Sequence, residues 1–314
     1  MKMTAVQREA CRAVLEKHAR TFALAARFLA PETAEHASAV YAWCRRADDA
    51  IDLAPRREHA VALERLRVEL DAVFGAADLD DPILGGFQVV VRTRGIRRAY
   101  CDELLLGMAM DADDVRYETE EDLLLYCYRV AGTVGLMMAH VLGVRDDRAL
   151  PAAAHLGMAM QLTNICRDVA EDHARRRCYL PATWLGAETA AQIEAAFGAP
   201  FPADACEATG RARQRALDLA EQYYAAADAG LQALDWRSAV AIRVARSGYA
   251  AIGREIERGG VARIEGRAYV ARRRKALIAA RTLGHAVGEA PRRMRQRFEP
   301  GVPQIELEYA DVRL

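Results

Sequence analysis

The sequence predicts an all-α protein built as a single domain, and three observations carry that expectation. Apolar residues recur at three- and four-residue intervals over most of the chain, the period of a helix with one buried face. No stretch alternates apolar and polar residues with period two for long enough to make a sheet strand. The 314 residues are 52% hydrophobic, ample for a core that needs no disulfide or metal staple.

Taken in order, residues 4–29 hold one helical period, and Pro31 suits the first turn of a second helix over about 31–53 that stops before Pro55. A charged amphipathic helix is expected over 56–74, ending at Gly75. Asp81 and Pro82 have the chemistry of a cap and first turn, so another helix opens there. Helices follow near 97–112 and near 119–143, the latter with Thr119 and Asp122 at capping-box spacing. Pro151 opens a long helix that runs to Asp172. A loop through Arg175-Arg176-Arg177 and a short helix after Pro181 come next. Residues 186–203, interrupted by glycines and prolines, read as a connector, and long helices near 204–230, 235–258 and 265–285 complete the pattern. The reading is one helical domain over 1–290 with an irregular tail over 291–314.

Charge and cysteine content narrow the function. The 44 basic and 44 acidic residues cancel, so no overall field draws the chain to nucleic acid, and no such partner is expected. Seven cysteines without a CxxC pair fit neither a disulfide framework nor a zinc site. Cys44, Cys127, Cys166 and Cys178 sit among apolar residues and read as small core hydrophobes. A cytoplasmic, reducing location is the expectation. The N-terminus lacks the apolar core of a signal peptide, and no apolar run reaches membrane-spanning length without a charge. The most lipid-like stretch, 130–144, carries His140, is flanked by Arg129 and Arg145, and reads as a core helix.

The chemistry concentrates in two stripes. On the long central helix Gln161, Asn164, Asp168 and Asp172 fall within roughly an 80° arc while the other faces are apolar (Leu162, Ile165, Cys166, Val169). On the second helix Tyr41, Arg45, Asp48 and Asp52 repeat the arrangement within roughly 60°, beside Val40, Trp43, Cys44 and Ile51. One Asp-xxx-Asp on a helix is commonplace on a solvated face. Two of them on helices with apolar flanks are not what a solvated face predicts. Carboxylates one turn apart can bind one hard cation or adjacent ones, and magnesium favours one or two carboxylates completed by water and phosphate oxygens. If the helices face each other, repulsion among four aspartates raises some of their pKa values unless metal is present. Diphosphate would complete such a cluster. Arg45, Arg167 and Arg177 supply forks for its oxygens, whereas Arg175 and Arg176 read as a solvated loop.

At this point the chain resembles a known family. Tyr41-Ala42-Trp43-Cys44-Arg45-Arg46-Ala47-Asp48-Asp49-Ala50-Ile51-Asp52 is similar to motifs of the squalene and phytoene synthases. So are Tyr126 to Gly135 and the stretch from Gln161 through Tyr179-Leu180-Pro181. The bacterial phytoene synthases are the most alike, and the resemblance runs from about Thr21 to Tyr249. It implies an isoprenoid synthase-type helical bundle around a central cavity. It also implies head-to-head condensation of two geranylgeranyl diphosphates through a cyclopropyl diphosphate to phytoene, in carotenoid biosynthesis. Squalene or dehydrosqualene synthesis from farnesyl diphosphate is the alternative within the family, and a non-catalytic helical assembly subunit the alternative outside it. Magnesium is the implied cofactor, with manganese as the alternative ion, and no nicotinamide is expected. By the same resemblance Asp48, Asp52, Asn164, Asp168 and Asp172 bind metal. Gln161, Arg45, Arg167 and Arg177 meet diphosphate, while Tyr41, Tyr126 and Tyr249 stand near the reacting carbons. Thr21, Phe22, Val130 and Val134 are carried over as substrate contacts. Two positions depart from the family pattern. Ala19 stands where a hydroxyl is common, and Arg176 replaces a usual glycine, which is expected to give that loop another backbone shape or a looser fold.

Other patterns compete. Asp48-Asp49-Ala50-Ile51-Asp52 also fits the DDxxD of chain-elongating prenyltransferases, but Arg167 before Asp168 breaks a second copy. The second metal motif of terpene cyclases needs Ser or Thr and Glu at spacings this helix lacks. Gly132, Gly135 and Ala139 either let another helix approach or leave room for a prenyl tail, and the tail is favoured. Arg263, Arg267, Arg272, Arg273, Arg274 and Lys275 make a basic face for solvent or, as the second reading, a peripheral membrane contact for product release.

Overall fold

The computed structural model describes residues 1–113, 115–144 and 146–293, and contains no strand among them. The helices are α1 (Ala5–His18), α2 (Arg20–Ala26), α3 (Pro31–Asp52), α4 (His59–Phe74), α5 (Pro82–Arg94), α6 (Arg98–Ala112) and α7 (Glu120–Cys127). After them come α8 (Thr133–Val141), α9 (Leu150–Ala174), α10 (Ala182–Leu185), α11 (Ala187–Ala195), α12 (Cys206–Asp228), α13 (Trp236–Gly259) and α14 (Arg272–Arg293). The all-α expectation holds.

Local chemistry sets several ends. Thr4 and Gln7 form a reciprocal capping box on α1, as do Thr119 and Asp122 on α7. Asp81 accepts from the amides of Ile83 and Leu84, with Pro82 in the first turn of α5. Asp235 caps α13 in the same way.

Three elements differ from the sequence reading. The period over 4–29 splits at Ala19, whose backbone (φ −134, ψ 66) leaves the helical region. The break turns α2 towards α13, where Phe22 stacks on Tyr249 at 5.2 Å, a tertiary contact that local periodicity does not encode. The 186–203 connector contains α11, whose Ala190 and Ile193 are buried in the core. The last helix starts at Arg272 instead of 265, so Arg263 to Ala271 form a loop. Of the tail assigned to 291–314, residues 291–293 belong to α14 and the remainder lies outside the described residues.

The core is wrapped around α9. It packs along α12 and also meets α8 and α13, while α3 is held by α1, α4, α5, α6 and α8. α7 and α8 are one continuous helix, Glu120–Val141, interrupted by a widened π turn at Tyr128–Gly132. By length and composition this helix could cross a membrane, yet more than half of its apolar window is buried inside the fold. It is a core helix, as the sequence reading has it.

The small residues of this helix serve the helix crossing. A Cβ on Gly135 would lie 2.1 Å from the Ala153 carbonyl oxygen, and one on Gly157 would lie 2.0 Å from that of Ala131. Backbones meet here because neither residue has a side chain. Both readings of the small residues therefore apply: Gly135 meets α9 and also lines the cavity described below, as do Val130, Val134, Met138 and Ala139, whereas Gly132 does not line it. Gly157→Ala is expected to lower stability by about 1–3 kcal/mol through overpacking. Urea denaturation checks this, and an unchanged midpoint would contradict the crossing.

Candidate active site

A cavity of about 720 Å³ runs between α2, α3, α8, α9, α13 and the loop before α14, a size usual for a ligand pocket (roughly 300–1,000 Å³). Twelve of the residues singled out in the sequence line it. Thr21 and Phe22 come from α2, and Tyr41, Arg45 and Asp48 from α3. Tyr126, Val130 and Val134 come from the π-interrupted helix. Gln161, Asn164 and Arg167 come from α9, and Tyr249 from α13. Leu104, Met108, Leu142, Leu231 and Leu234 make much of the remaining lining apolar. Asp52, Asp168, Asp172 and Arg177 do not line this space but stand around its polar end.

The two aspartate motifs are joined by arginine. Arg177 donates through Nη1 to Asp52 Oδ1 at 2.6 Å, and Arg175 reaches Asp52 Oδ2 at 3.0 Å. The loop after the second motif thus closes on the last carboxylate of the first. Arg175, 55% exposed as the solvated-loop reading expects, pairs with that carboxylate from the solvent side. Asp168 is held by Arg167 Nε at 2.7 Å and by Arg267 Nε at 2.9 Å, while Arg45 pairs with Asp48 at 3.3 Å and also with Asp49.

Asp48 and Asp172 feel the crowding. Burial pushes the Asp48 carboxyl up to about 7, with Asp52 adding to the rise, Arg45 opposing it and Asp111 reinforcing it. Two-fifths of the side chain remains open, but towards the cavity rather than bulk water. Asp172 is also pushed well up, first by burial and then by Asp168, against the pull of Arg177. The carboxyls expected to rise do so, but through burial, the aspartate of the same motif and Asp111 instead of through the facing motif.

Asp111 is a site residue that the sequence reading missed. It is 7% exposed and accepts from the Tyr126 hydroxyl at 2.9 Å and the Tyr179 hydroxyl at 2.7 Å, with Arg177 Nε 3.8 Å away. The two tyrosine rings stack at 4.7 Å. Burial pushes both phenols well up, so they stay protonated and donate. Asp111 gives no sequence signal, because it sits on α6 in a run without a motif. Its function appears only when α6, α7 and the Tyr179 loop converge.

Arg267 and Lys275 were also missed, being read as part of a basic helix face. Both line the cavity, and Lys275 Nζ donates to Thr21 Oγ1 at 3.1 Å. With Arg274 paired to Glu255, three cations of the run read as a solvated basic face are engaged within the fold.

Arg176 resolves the second departure differently from expectation. α9 ends with the Arg177 amide bonded to Asp172 O at 2.8 Å and the Arg176 amide to His173 O at 2.9 Å, the paired bonds of a Schellman turn. Arg176 occupies its left-handed position at φ 65. The loop keeps the glycine shape with an arginine in it, and that shape aims Arg177 at Asp52.

The donor set fits magnesium. Among the described residues no three Asp, Glu, His or Cys groups form a ready-made cage. Magnesium does not need one, since it uses one or two carboxylates and completes its shell with water and phosphate oxygens. Burial, with the neighbouring aspartate of each motif, disfavours the ionised form of the Asp48 and Asp172 carboxyls, and a bound cation would favour it. Asn164 Oδ1 is buried with no donor, an acceptor suited to a cation or its water.

Two outcomes follow. A carboxyl raised in the fold favours the protonated protein, so the Asp48 contribution to stability is full below about pH 4 and is lost as pH rises through about 7. Asp48→Asn is therefore expected to melt above the metal-free wild type at pH 8 and to converge with it near pH 4. Melting curves across pH check this, and a constant gap would refute it. Arg176→Gly is expected to add about 0.5–1 kcal/mol by removing a left-handed side chain, read from the denaturation midpoint.

Comparison with known proteins agrees with this geometry. Residues 15–274 match the family model described as squalene/phytoene synthase. A phytoene synthase of Pseudescherichia vulneris is 43% identical over 250 residues, covering 77% of this chain and 79% of that one. A 15-cis-phytoene synthase of Enterobacter agglomerans is 38% identical over 258 residues, covering 78% and 84%. Among solved structures, a dehydrosqualene synthase in complex with ligand superposes with a TM-score of 0.77 at 27% identity, over 90% of this chain and 97% of that one. Matched by that family model over residues 15–274 and by relatives 38–43% identical over most of its length, the chain belongs to the squalene/phytoene synthase family.

Proposed function

We propose that this chain is a magnesium-dependent phytoene synthase that joins two geranylgeranyl diphosphates head to head. The observation that carries the reading is the Arg177 bridge from the second aspartate motif to Asp52 at the polar end of a long apolar cavity. That arrangement suits a diphosphate head with a hydrocarbon tail behind it. The twenty-carbon substrate follows from the bacterial relatives named phytoene synthase, and product departure at a membrane surface remains part of the proposal.

The balance of the reaction matches the groups present. One substrate loses diphosphate, its C1 is captured by the double bond of the other, and one proton leaves, giving a cyclopropyl diphosphate. Loss of the second diphosphate, rearrangement and loss of a second proton give phytoene, so no reductant is consumed. Asp48, Asp52, Asn164, Asp168 and Asp172 would hold magnesium, which neutralises the departing diphosphates when bound. Arg45, Arg167 and Arg267 offer forks to the same oxygens. Phe22, Tyr41 and Tyr249 present aromatic faces that stabilise allylic cations without attacking them. The apolar lining keeps water from quenching those cations. Tyr126, anchored on Asp111, directs a hydroxyl at the boundary between polar and apolar regions.

Incubation with magnesium and geranylgeranyl diphosphate, without nicotinamide, is expected to yield phytoene by chromatography and mass spectrometry. Asp48→Ala and Asp168→Ala should abolish the product while leaving the far-UV circular dichroism intact. A thirty-carbon product from farnesyl diphosphate alone would reassign the substrate. No hydrocarbon from either substrate would refute the synthase reading.

A further inference from the structure

Arg213, on α12, is a buried cation that does not line the cavity. It is 3% exposed, and burial holds its guanidinium below the ordinary arginine value. It donates to backbone carbonyls. Nε donates to Cys166 O at 2.6 Å, and Nη1 donates to Val261 O at 2.8 Å and Arg263 O at 2.9 Å. Cys166 returns a thiol contact to Arg213 O at 3.5 Å. Burying a charge among neutral acceptors is costly, and an apolar residue would pack more cheaply. What the guanidinium provides is a planar fork that holds two backbone segments at a set distance.

The two segments are the metal-motif helix and the loop that carries Arg267. Cys166 lies two residues before Asp168 on α9. Val261 to Arg263 begin the loop after α13, and Gly210 admits them, since a Cβ there would stand 2.8 Å from Ala262 Cα. Ile264, next in the loop, is 5% exposed. Three residues later Arg267 meets Asp168 at 2.9 Å and Glu171 at 3.5 Å. A closed circuit results: Arg213 to Cys166, along α9 to Asp168, across to Arg267, and back through the loop to Arg213.

We infer that Arg213 is a positioning residue that registers the 261–267 loop against α9 and thereby sets Arg267 over Asp168. Resting on the diphosphate reading above, this makes Arg213 a determinant of diphosphate affinity that touches neither metal nor substrate. Half of the Arg267 side chain is solvent-exposed, so its alignment depends on the loop beneath it.

The test is a double-mutant cycle on the full chain with Arg213→Lys, Arg267→Gln and both together. Inorganic diphosphate with magnesium is the titrant, followed by calorimetry, and hydrogen exchange is measured over 261–270. Arg213→Lys keeps a positive charge but not the fork, and its fold is verified by circular dichroism. Each single variant is expected to bind diphosphate about tenfold more weakly, the loss of one charge-assisted contact. The double variant should be little worse than either. Exchange over 261–270 should rise in Arg213→Lys and stay constant over α3. Additive losses, or unchanged affinity in a folded Arg213→Lys, would overturn the inference. If wild type binds no diphosphate, the functional reading falls, and exchange alone decides the positioning: unchanged exchange over 261–270 refutes it, and selective acceleration supports it.

Discussion

The contact between Arg177 and Asp52 is the constraint on which the polar end of this protein depends. It spans 125 positions of sequence at 2.6 Å and ties the end of α3 to the turn that terminates α9. Four motif aspartates and Asp111 crowd one region, and in a poorly solvated site their mutual repulsion would force the helices apart or force protonation. Arginines of α9 and of the loops beside it offset part of that repulsion. Arg177 and Arg175 serve Asp52, and Arg167 and Arg267 serve Asp168. Asp48 and Asp172 remain the carboxyls displaced upward, first by burial and then by the other aspartate of their own motif. A hard cation bound there would offset that repulsion, and its remaining positive charge would hold a diphosphate.

The apolar lining follows from a different constraint. α9 must pass close to the π-interrupted helix for the cavity to have a wall, and Gly135 and Gly157 permit the approach by lacking side chains. The larger residues of that helix, Val130, Val134 and Met138, are then turned to the cavity. Gly135 and Ala139 line the cavity beside them, so one helix serves both the crossing and the substrate space.

A third feature joins these two. The turn after α9 is stretched over a left-handed Arg176, a conformation that costs about 1–2 kcal/mol for a residue with a Cβ. The turn places Arg177 where it can touch both Asp52 and the Asp111 cluster. Local strain is accepted here because the position of the following arginine matters more to the site than the comfort of the turn.

The cavity residues of α2 and α13 came only with the family resemblance, while sequence alone determined the helical class, most element ends and the two carboxylate stripes on α3 and α9. These are legible because helical periodicity and caps are local, and because a polar stripe on an apolar helix shows without knowledge of its partner. Tertiary structure alone decided the break at Ala19, the duty of Gly135 and Gly157, and the recruitment of Asp111, Arg175, Arg267 and Lys275. Asp111 is silent in sequence because its meaning comes from two tyrosine hydroxyls on other elements. Arg267 reads as one of many surface cations until the loop held by Arg213 lays it over Asp168. Periodicity reports which face of a helix is buried, but not which side chains meet across the space between helices, and the chemistry of this protein lies in that space.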